Sequence, residues 1–263
     1  MPDRFFSQSP LQVGQVISLD PQQSHHLLHV LRAEVGDEAC LFDGGPDEYL
    51  ARVHGKDRRS IRLEVVARIE RPIPVMDRVL VAAPVPKGDR FRYLIEKLTE
   101  LGVSAYWPLV TKRAVNPLSP SLQQKVEQWI IEACKQCGRN QPLTTLEPLT
   151  LTNFLGVTSR VPERYIACTP TDFAQVAGGA MPESTTSPDP NELGSLMDST
   201  EANFDRALLV GPEGGFTADE IGQIQRHGWS PQALGPHVLR IETAAVAGAA
   251  MLLNPPFKPV RQS

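Results

Sequence analysis

The first 70 residues alternate between apolar and polar positions over short stretches that turn residues separate. Such stretches, rich in β-branched and aromatic residues, occupy 13–19, 38–42, 49–54 and 60–66. Glycine, aspartate and proline clusters follow at 43–46 and 54–57. Strands spaced about ten residues apart are typical of a small antiparallel barrel. The pattern therefore predicts an N-terminal β-barrel.

One stretch inside this region has a helical pattern instead. Leu27, Leu28 and Leu31 recur at helical spacing within 25–32 and predict one shared apolar face. The preceding Ser24 is a residue type that caps helix N-termini. We therefore expect a helix over 25–32, capped by Ser24, within the barrel.

The pattern changes at 71–74, where the sequence RPIP indicates a boundary between a first domain, 1–72, and a second, 73–263. Continuous apolar strands then alternate with helical patterns. The predicted strands are 78–83, 106–110, 164–168 and 207–210. The predicted helices are 89–101, ended by Gly102, then 122–136, 218–227 and 243–253. This alternation predicts an α/β domain with a mostly parallel sheet.

Composition narrows the class of protein. With 41% apolar residues the chain can bury a core. The longest apolar run, 244–253, has ten residues, and a membrane-spanning helix needs about 20. Four cysteines in 263 residues do not make a disulfide framework, which favours a reducing cytoplasm. We expect a cytoplasmic protein without membrane contact.

The formal net charge of −4 at first argues against a nucleic-acid partner. Its distribution changes that interpretation. Six acidic residues and no Lys or Arg lie in 178–205, a stretch rich in Pro, Ser, Thr and Gly. Because such a composition disfavours burial, we interpret it as a flexible acidic surface insertion. The remainder of the chain carries a net charge of +2.

The strongest local motif is GPEGGF at 211–216, which follows an apolar strand and precedes a capping box formed by Thr217 and Glu220. A loop at the carboxyl end of a parallel strand is where such sheets bind ligands. Pro212 lacks an N–H donor and Glu213 repels anions, so a phosphate ligand is disfavoured. A ligand with hydroxyls or positive charge fits better; the alternative is a plain turn.

A second loop leads into the last predicted helix. Its residues 234–242 read LGPHVLRIE, and Glu242 or Thr243 is placed to cap the helix. The helix is rich in alanine and has Gly248 in its interior, which costs about 1 kcal/mol relative to alanine. That cost indicates close packing against other backbone; the alternative is an ordinary alanine-rich core helix.

Together these motifs resemble the RsmE family of 16S ribosomal RNA uridine-N3 methyltransferases, members of the SPOUT superfamily. The resemblance rests on GPEGGF at 211–216, LG at 234–235 and LRIETA at 239–244. It extends to RFF at 4–6, HHLLHVLR at 25–32, EKLTELGV at 96–103 and CGR at 137–139. It implies an N-terminal PUA-like β-barrel that binds RNA, a C-terminal SPOUT α/β domain with a trefoil knot, and a homodimer.

The resemblance also implies S-adenosylmethionine as the methyl donor, held mostly through backbone groups of three loops. The implied cofactor residues are Thr169, Pro170, Gly211, Pro212, Glu213, Gly214, Gly215, Leu234, Gly235, Val238, Leu239, Thr243 and Ala244.

The acceptor atom, N3 of uridine, carries a proton, so methylation requires the loss of that proton. Arg240 could stabilise the charge that develops on the base, and Glu242 could act as a base or orient Arg240. The alternative role for Glu242 is a helix cap.

The expected partner is 16S rRNA or the small ribosomal subunit. The candidate phosphate contacts are Arg4, Arg32, Lys87, Arg90, Arg113 and Arg139, although each could be an ordinary surface charge. No metal is expected, because the C-x-x-C of Cys134 and Cys137 has no second pair.

Two other functions are compatible with the sequence motifs. One is a SPOUT-type ribose 2′-O RNA methyltransferase, and the other is a non-catalytic RNA-binding ribosome assembly factor.

Overall fold

A computed structural model describes residues 3–70, 77–114, 118–169 and 204–253. The chain forms two compact units. The first contains Met1–Val75 together with Ile131–Pro142, and the second contains Met76–Ile130 together with Leu143–Ser263. The predicted boundary at 71–74, the cofactor residue Pro170 and most of the predicted acidic insertion lie outside the described residues. The last two residues of that stretch are described: Phe204 is buried, and the Asp205 carboxylate accepts a hydrogen bond from the Arg78 N–H.

The first unit is built on a curled five-stranded sheet. Its strands are β1 (Arg4–Phe6), β2 (Val16–Ser18), β3 (Glu38–Phe42), β4 (Glu48–Lys56) and β5 (Ile61–Ile69), in the order β1-β3-β4-β5-β2. The β1 and β3 strands are parallel and the other pairs antiparallel. Ile61, Leu63 and Val65 alternate with exposed neighbours along β5, as expected for a strand with one buried face. The predicted barrel region is thus a half-barrel sheet.

The helix inside this unit differs from its prediction. Helix α1 spans Pro21–His25 and continues as a π-helical turn, His26–Val30. Its N-cap is Asp20, whose carboxylate accepts a hydrogen bond from the Gln23 N–H. Ser24 is therefore not the cap, and its hydroxyl donates to the Leu19 carbonyl instead. The wider π turn rotates the last residues, so that Leu27 is buried while Leu31 is exposed. The predicted common face of the three leucines is wrong for Leu31.

The second unit contains the predicted parallel sheet. Its strands are β6 (Val79–Ala83), β7 (Ala105–Val110), β8 (Thr144–Thr145), β9 (Leu149–Thr150), β10 (Glu163–Cys168), β11 (Arg206–Val210) and β12 (Ser230–Ala233). The order is β12-β10-β11-β6-β7-β8, with β9 also pairing β7, and every pair is parallel. The mixed α/β architecture inferred from the sequence is confirmed.

Helices cover the two faces of this sheet. The helices after α1 are α2 (Asp89–Leu101), α3 (Pro120–Cys137), α4 (Leu151–Val157), α5 (Ala218–Arg226) and α6 (Ile241–Leu253). On one face, Leu80 and Leu209 join a core that includes Phe154 of α4 and Ile224 of α5. On the other, α6 contacts α2, β6 and β11. Within the part of the chain described, no helix is long and apolar enough to cross a membrane.

Candidate functional site

A cavity of about 950 Å³ opens at the carboxyl edge of the parallel sheet. Three chain segments form it: the end of β10 with Thr169, the loop from the end of β11 into α5, and the loop between β12 and α6. Strands that run in the same direction bring the loops that follow them to one edge, and ligands bind there in open α/β sheets. The sheet order therefore brings together loops that are distant in sequence.

The glycine-rich loop at 211–216 needs its glycines for two different reasons. A Cβ on Gly211 would lie 2.9 Å from the Phe216 ring, so a side chain cannot be placed there without moving the ring. Gly215 has φ of +68°, a conformation that favours glycine. The Gly215 N–H donates to the Pro212 carbonyl at 2.8 Å, which closes a tight turn. The backbone of this loop consequently borders the cavity directly.

The predicted capping box at the start of α5 is confirmed. The Glu220 N–H donates to the Thr217 hydroxyl, and the Thr217 N–H donates to the Glu220 carboxylate at 2.8 Å. Glu220 is only 3% exposed. Its second carboxylate oxygen accepts a hydrogen bond from the Lys112 N–H at 2.9 Å. The cap therefore also connects the loop after β7 to the loop after β11.

The structure brings most of the expected cofactor residues around this one cavity. Those lining it are Thr169, Gly211, Pro212, Glu213, Gly214, Gly215, Leu234, Gly235, Val238, Leu239 and Ala244. Thr243 is not among the lining residues and its side chain is exposed. Val238 lines the cavity while remaining 79% exposed, so it stands at the cavity mouth.

The two candidate catalytic residues lie beside the cavity rather than in its lining. Arg240 is exposed, and its carbonyl accepts the first hydrogen bond of α6, from the Ala244 N–H at 2.8 Å. Arg240 thus occupies the N-cap position, and the expectation that Glu242 or Thr243 caps the helix is wrong. Glu242 is 6% exposed, and its Oε2 has no hydrogen-bond partner among the described residues.

Several lining residues are not among those expected from the sequence. One group lies on α5: Ala218, Ile221, Gly222 and Gln225. Their spacing of three and four residues places them on one helix face, a signal that the sequence does contain. Arg113, Cys168 and His237 also line the cavity. Nothing in the local sequence near Arg113 indicates this, because its position depends on the order of the strands.

The six candidate RNA residues fall into different environments. Arg32 and Lys87 are exposed, and Arg32 has φ of +56°. Arg90 approaches the Glu213 carboxylate at 3.5 Å. Arg113 donates a hydrogen bond to the Gly214 carbonyl. Half-buried Arg139 has a pKa lowered below its ordinary value by burial.

Arg4 is held inside the first unit. Its guanidinium forms an ion pair with Glu48, donates to Asn140 Oδ1 at 2.7 Å and lies over the Phe42 ring. The Arg4 side chain is 11% exposed and that of Glu48 is 1% exposed. These contacts leave little of the Arg4 guanidinium accessible to a phosphate.

The C-x-x-C of Cys134 and Cys137 is not part of a metal centre in the described ranges, where no group of three or more His, Cys, Asp or Glu could hold an ion. Cys134 is buried in α3 and Cys137 is exposed at its end. Burial raises the pKa of the Cys134 thiol to about 12. His25 and His29 lie one helical turn apart on the surface, with ring centroids separated by 4.7 Å.

Two family models match the chain. A PUA domain of RNA methyltransferases matches residues 19–66, and an RNA methyltransferase domain matches residues 72–253. A Synechocystis protein named ribosomal RNA small subunit methyltransferase E is 30% identical over 245 residues, which cover 91% of this chain and 73% of that protein. The chain belongs to the RsmE family.

Three further proteins are similar to this chain over most of their length. The Bacillus subtilis ribosomal RNA small subunit methyltransferase E is 26% identical, over 89% of this chain and 88% of that protein. A Legionella pneumophila structure of a methyltransferase with bound S-adenosylmethionine has a TM-score of 0.74 and 29% identity, covering 96% and 97% of the two chains. The Neisseria gonorrhoeae RsmE, bound to S-adenosylmethionine, has a TM-score of 0.73 and 25% identity, covering 95% and 96%.

Proposed function

We propose that this RsmE-family chain is an enzyme that transfers the methyl group of S-adenosylmethionine to N3 of a specific uridine in 16S rRNA of the small ribosomal subunit. The observation that carries the proposal is the cavity at the carboxyl edge of the sheet, bordered by eleven of the expected cofactor residues. Two neighbours that share the fold over at least 95% of this chain bind S-adenosylmethionine.

The residues around the cavity fit this cofactor. Apolar side chains of Ile166, Val210 and Ile241 offer a surface for an adenine ring, and the adjacent loop backbone offers hydrogen-bonding groups. A Cβ added at Gly222 or Gly235 would meet nothing within 4 Å, so the cavity extends up to the backbone there. Its volume of about 950 Å³ lies within the range of small-molecule pockets, roughly 300–1,000 Å³.

The cofactor supplies an electrophilic methyl group, and the protein must make N3 of uridine nucleophilic. We propose that exposed Arg240, at the start of α6, stabilises negative charge on the base carbonyls as the N3 proton is lost. We further propose that Glu242 accepts that proton or orients Arg240. The unpartnered, buried Oε2 of Glu242 supports this role, because an unpartnered buried carboxylate oxygen costs free energy and a functional role explains why that cost is retained.

We also propose a role for each of the two domains. Residues 1–72 act as a PUA-like RNA-binding domain, and residues 73–263 act as a SPOUT methyltransferase domain with a trefoil knot. The small residues of α6, among them Gly248, are compatible with such a knot, since a segment threaded through a backbone loop needs small residues. We also propose that the enzyme works as a homodimer in the cytoplasm. The exposed side chains of Arg32 and Lys87, together with Arg90 and Arg113 beside the cavity, are the proposed phosphate contacts.

Mass spectrometry of small-subunit RNA tests the proposed reaction. RNA from a strain that lacks the protein should lose a methyl group at one uridine N3, and purified protein with S-adenosylmethionine should restore it. A methyl group found on the ribose instead would favour the 2′-O-methyltransferase alternative, because base and ribose methylation fragment differently. Loss of no methyl group, together with no binding of S-adenosylmethionine in calorimetry, would favour the non-catalytic assembly factor.

A further inference from the structure

The glycine-rich loop at 211–216 and the residue that follows it are contacted by three other parts of the second unit. Arg90, in the first turn of α2, approaches the Glu213 carboxylate. Arg113, in the loop after β7, donates a hydrogen bond to the Gly214 carbonyl. Glu220, in α5, accepts the Thr217 N–H directly after the loop. The contacts meet the chain at Glu213 and Gly214 within the loop and at Thr217 directly after it.

Arg113 makes the closest of these approaches. The Arg113 Cδ lies 3.3 Å from the position that a Cβ on Gly214 would occupy, so the side-chain stem lies directly against the glycine backbone. Arg113 also lines the cavity, although its side chain remains exposed. The Arg113 stem thus packs against the loop backbone while its guanidinium donates to the Gly214 carbonyl.

Glu220 fixes the segment that carries Arg113. Its Oε1 accepts the Lys112 N–H, and its Oε2 accepts both the N–H and the hydroxyl of Thr217, at 2.8 and 3.0 Å. One carboxylate that is 3% exposed therefore joins the loop after β7 to the loop after β11. Hydrogen bonds to a buried charged acceptor are about twice as strong as neutral ones.

Such external contacts matter because the loop has little rigidity of its own. Three of its six residues are glycine, the residue type that loses most conformational freedom on ordering. A loop that is ordered before the ligand arrives does not lose that freedom on binding, so pre-ordering increases affinity. The contacts therefore influence the cavity even though Glu220 itself is not among its lining residues.

We propose that Arg113 and Glu220 are positioning residues, which hold the glycine-rich loop in the conformation that binds the cofactor. The inference rests on the proposed use of the cavity for S-adenosylmethionine. In this role Arg113 contributes to cofactor binding through Gly214, independently of its proposed contact with RNA. The proposed role also gives the loop after β7, Thr111 to Ala114, a place in the cofactor site.

Calorimetric titration of the full-length protein with S-adenosylmethionine, without RNA, tests the proposal. Glu220→Gln replaces one accepting oxygen by an amide and should raise the Kd about tenfold, the equivalent of about 1.4 kcal/mol. Arg113→Met retains the apolar stem, removes the hydrogen bond to Gly214 and should raise the Kd by a similar factor. In turnover assays both variants should raise KM for the cofactor more than they lower kcat.

Asp219→Asn is the matched control. Asp219 is the neighbour of Glu220, and its exposed carboxylate pairs at 3.0 Å with the exposed Lys112 ammonium. Because exposed pairs contribute little, Asp219→Asn should leave the Kd unchanged. Equal Kd values for wild type, control and both variants would overturn the positioning roles. A wild-type protein that does not bind S-adenosylmethionine would instead overturn the proposed function.

Hydrogen–deuterium exchange of the ligand-free protein gives a second readout. In both variants, backbone amides of 213–217 should exchange faster than in wild type, while amides of β6 keep their protection. Since Arg113 is exposed, we expect Arg113→Met to fold even if Glu220→Gln is unstable. The exchange measured in Arg113→Met is then sufficient to test the proposal. Unchanged exchange of 213–217 in folded Arg113→Met would contradict the proposal.

Discussion

Gly248 of α6 faces Leu208 of β11 so closely that a Cβ on the glycine would lie 2.5 Å from Leu208 Cδ2. Leu208 is 1% exposed. Because Gly248 has no side chain, α6 can pack directly against Leu208 at this position. The unfavourable helix propensity of Gly248 is thus offset by packing.

Gly248→Ala should therefore destabilise the protein, although alanine is the better helix former. The substitution gains about 1 kcal/mol of helix propensity but overpacks the core, which typically costs about 1–3 kcal/mol. We expect the free energy of unfolding in urea to fall by about 1 kcal/mol. Combining it with Leu208→Ala should cost less than the sum of the two single changes, because the space vacated by the leucine accepts the new methyl group.

Gly222→Ala is the control for that experiment. Gly222 is also helical, but an added Cβ would meet nothing within 4 Å. In the absence of cofactor it should stabilise the protein by about 0.5–1 kcal/mol. Equal effects at the two glycines would show that the contact with Leu208 is unimportant.

Glu48→Gln should strongly destabilise the first unit. The substitution leaves the Arg4 guanidinium, 11% exposed, without its ionic partner. Breaking a buried ion pair costs about 3–5 kcal/mol, whereas the exposed pair of Arg52 and Glu38, at 3.1 Å, should contribute less than about 1 kcal/mol. Urea unfolding of Glu48→Gln and Glu38→Gln should show this difference. Similar losses in both variants would contradict the buried role of Arg4.

The cysteines should differ in their reaction with iodoacetamide. Since burial raises the pKa of the Cys134 thiol to about 12, almost none of this thiol is ionised at pH 8. Cys137 is exposed and should be labelled first. Cys168 lines the cavity, so S-adenosylmethionine should slow its labelling without affecting Cys137. Peptide mass spectrometry measures all three, and fast labelling of folded protein at Cys134 would refute the assignment.

Glu242→Gln separates a catalytic from a purely structural role. If the carboxylate accepts the N3 proton, turnover should fall by about 10²–10⁴-fold while the Kd for S-adenosylmethionine stays the same. Arg240→Gln should also reduce kcat, because the loss of charge stabilisation affects the transition state more than cofactor binding. If Glu242→Gln keeps near-normal turnover but unfolds at a lower temperature, the role of Glu242 is structural and not catalytic.

The sequence was most informative where local chemistry determines structure. The apolar run of β6 and the glycine that ends α2 were both recognisable, and Gly102 indeed adopts φ of +95°. The strand β12 was missed because its sequence, SPQA, has no apolar alternation and includes a proline. Its extended conformation comes from pairing with β10. The seven-residue helix α4 was missed because it is too short for a periodic signal.

The same distinction applies to the candidate site. The loop at 211–216 was recognisable as a glycine motif after a strand, the other two loops follow from the family resemblance, and eleven of the expected cofactor residues line one cavity. Arg113 could not be assigned to it from sequence, since its contact with Gly214 spans 101 residues. Only the order β11-β6-β7 brings their loops to one edge. Likewise, the tight environment of Arg4 depends on strand pairing and on Asn140, which is 136 residues away.

The position of β6 between β7 and β11 has a consequence for synthesis of the protein. Arg78, next to β6, meets Asp205 only after the intervening chain has been made, a separation of 127 residues. Sheets assembled from such distant segments form slowly, because the chain must close a long loop before the contacts form. During translation, β6 can pair with β7 first and with β11 only after residues 206–210 have been synthesised. The cofactor pocket is therefore complete only after its last lining residue, Ala244, has been synthesised.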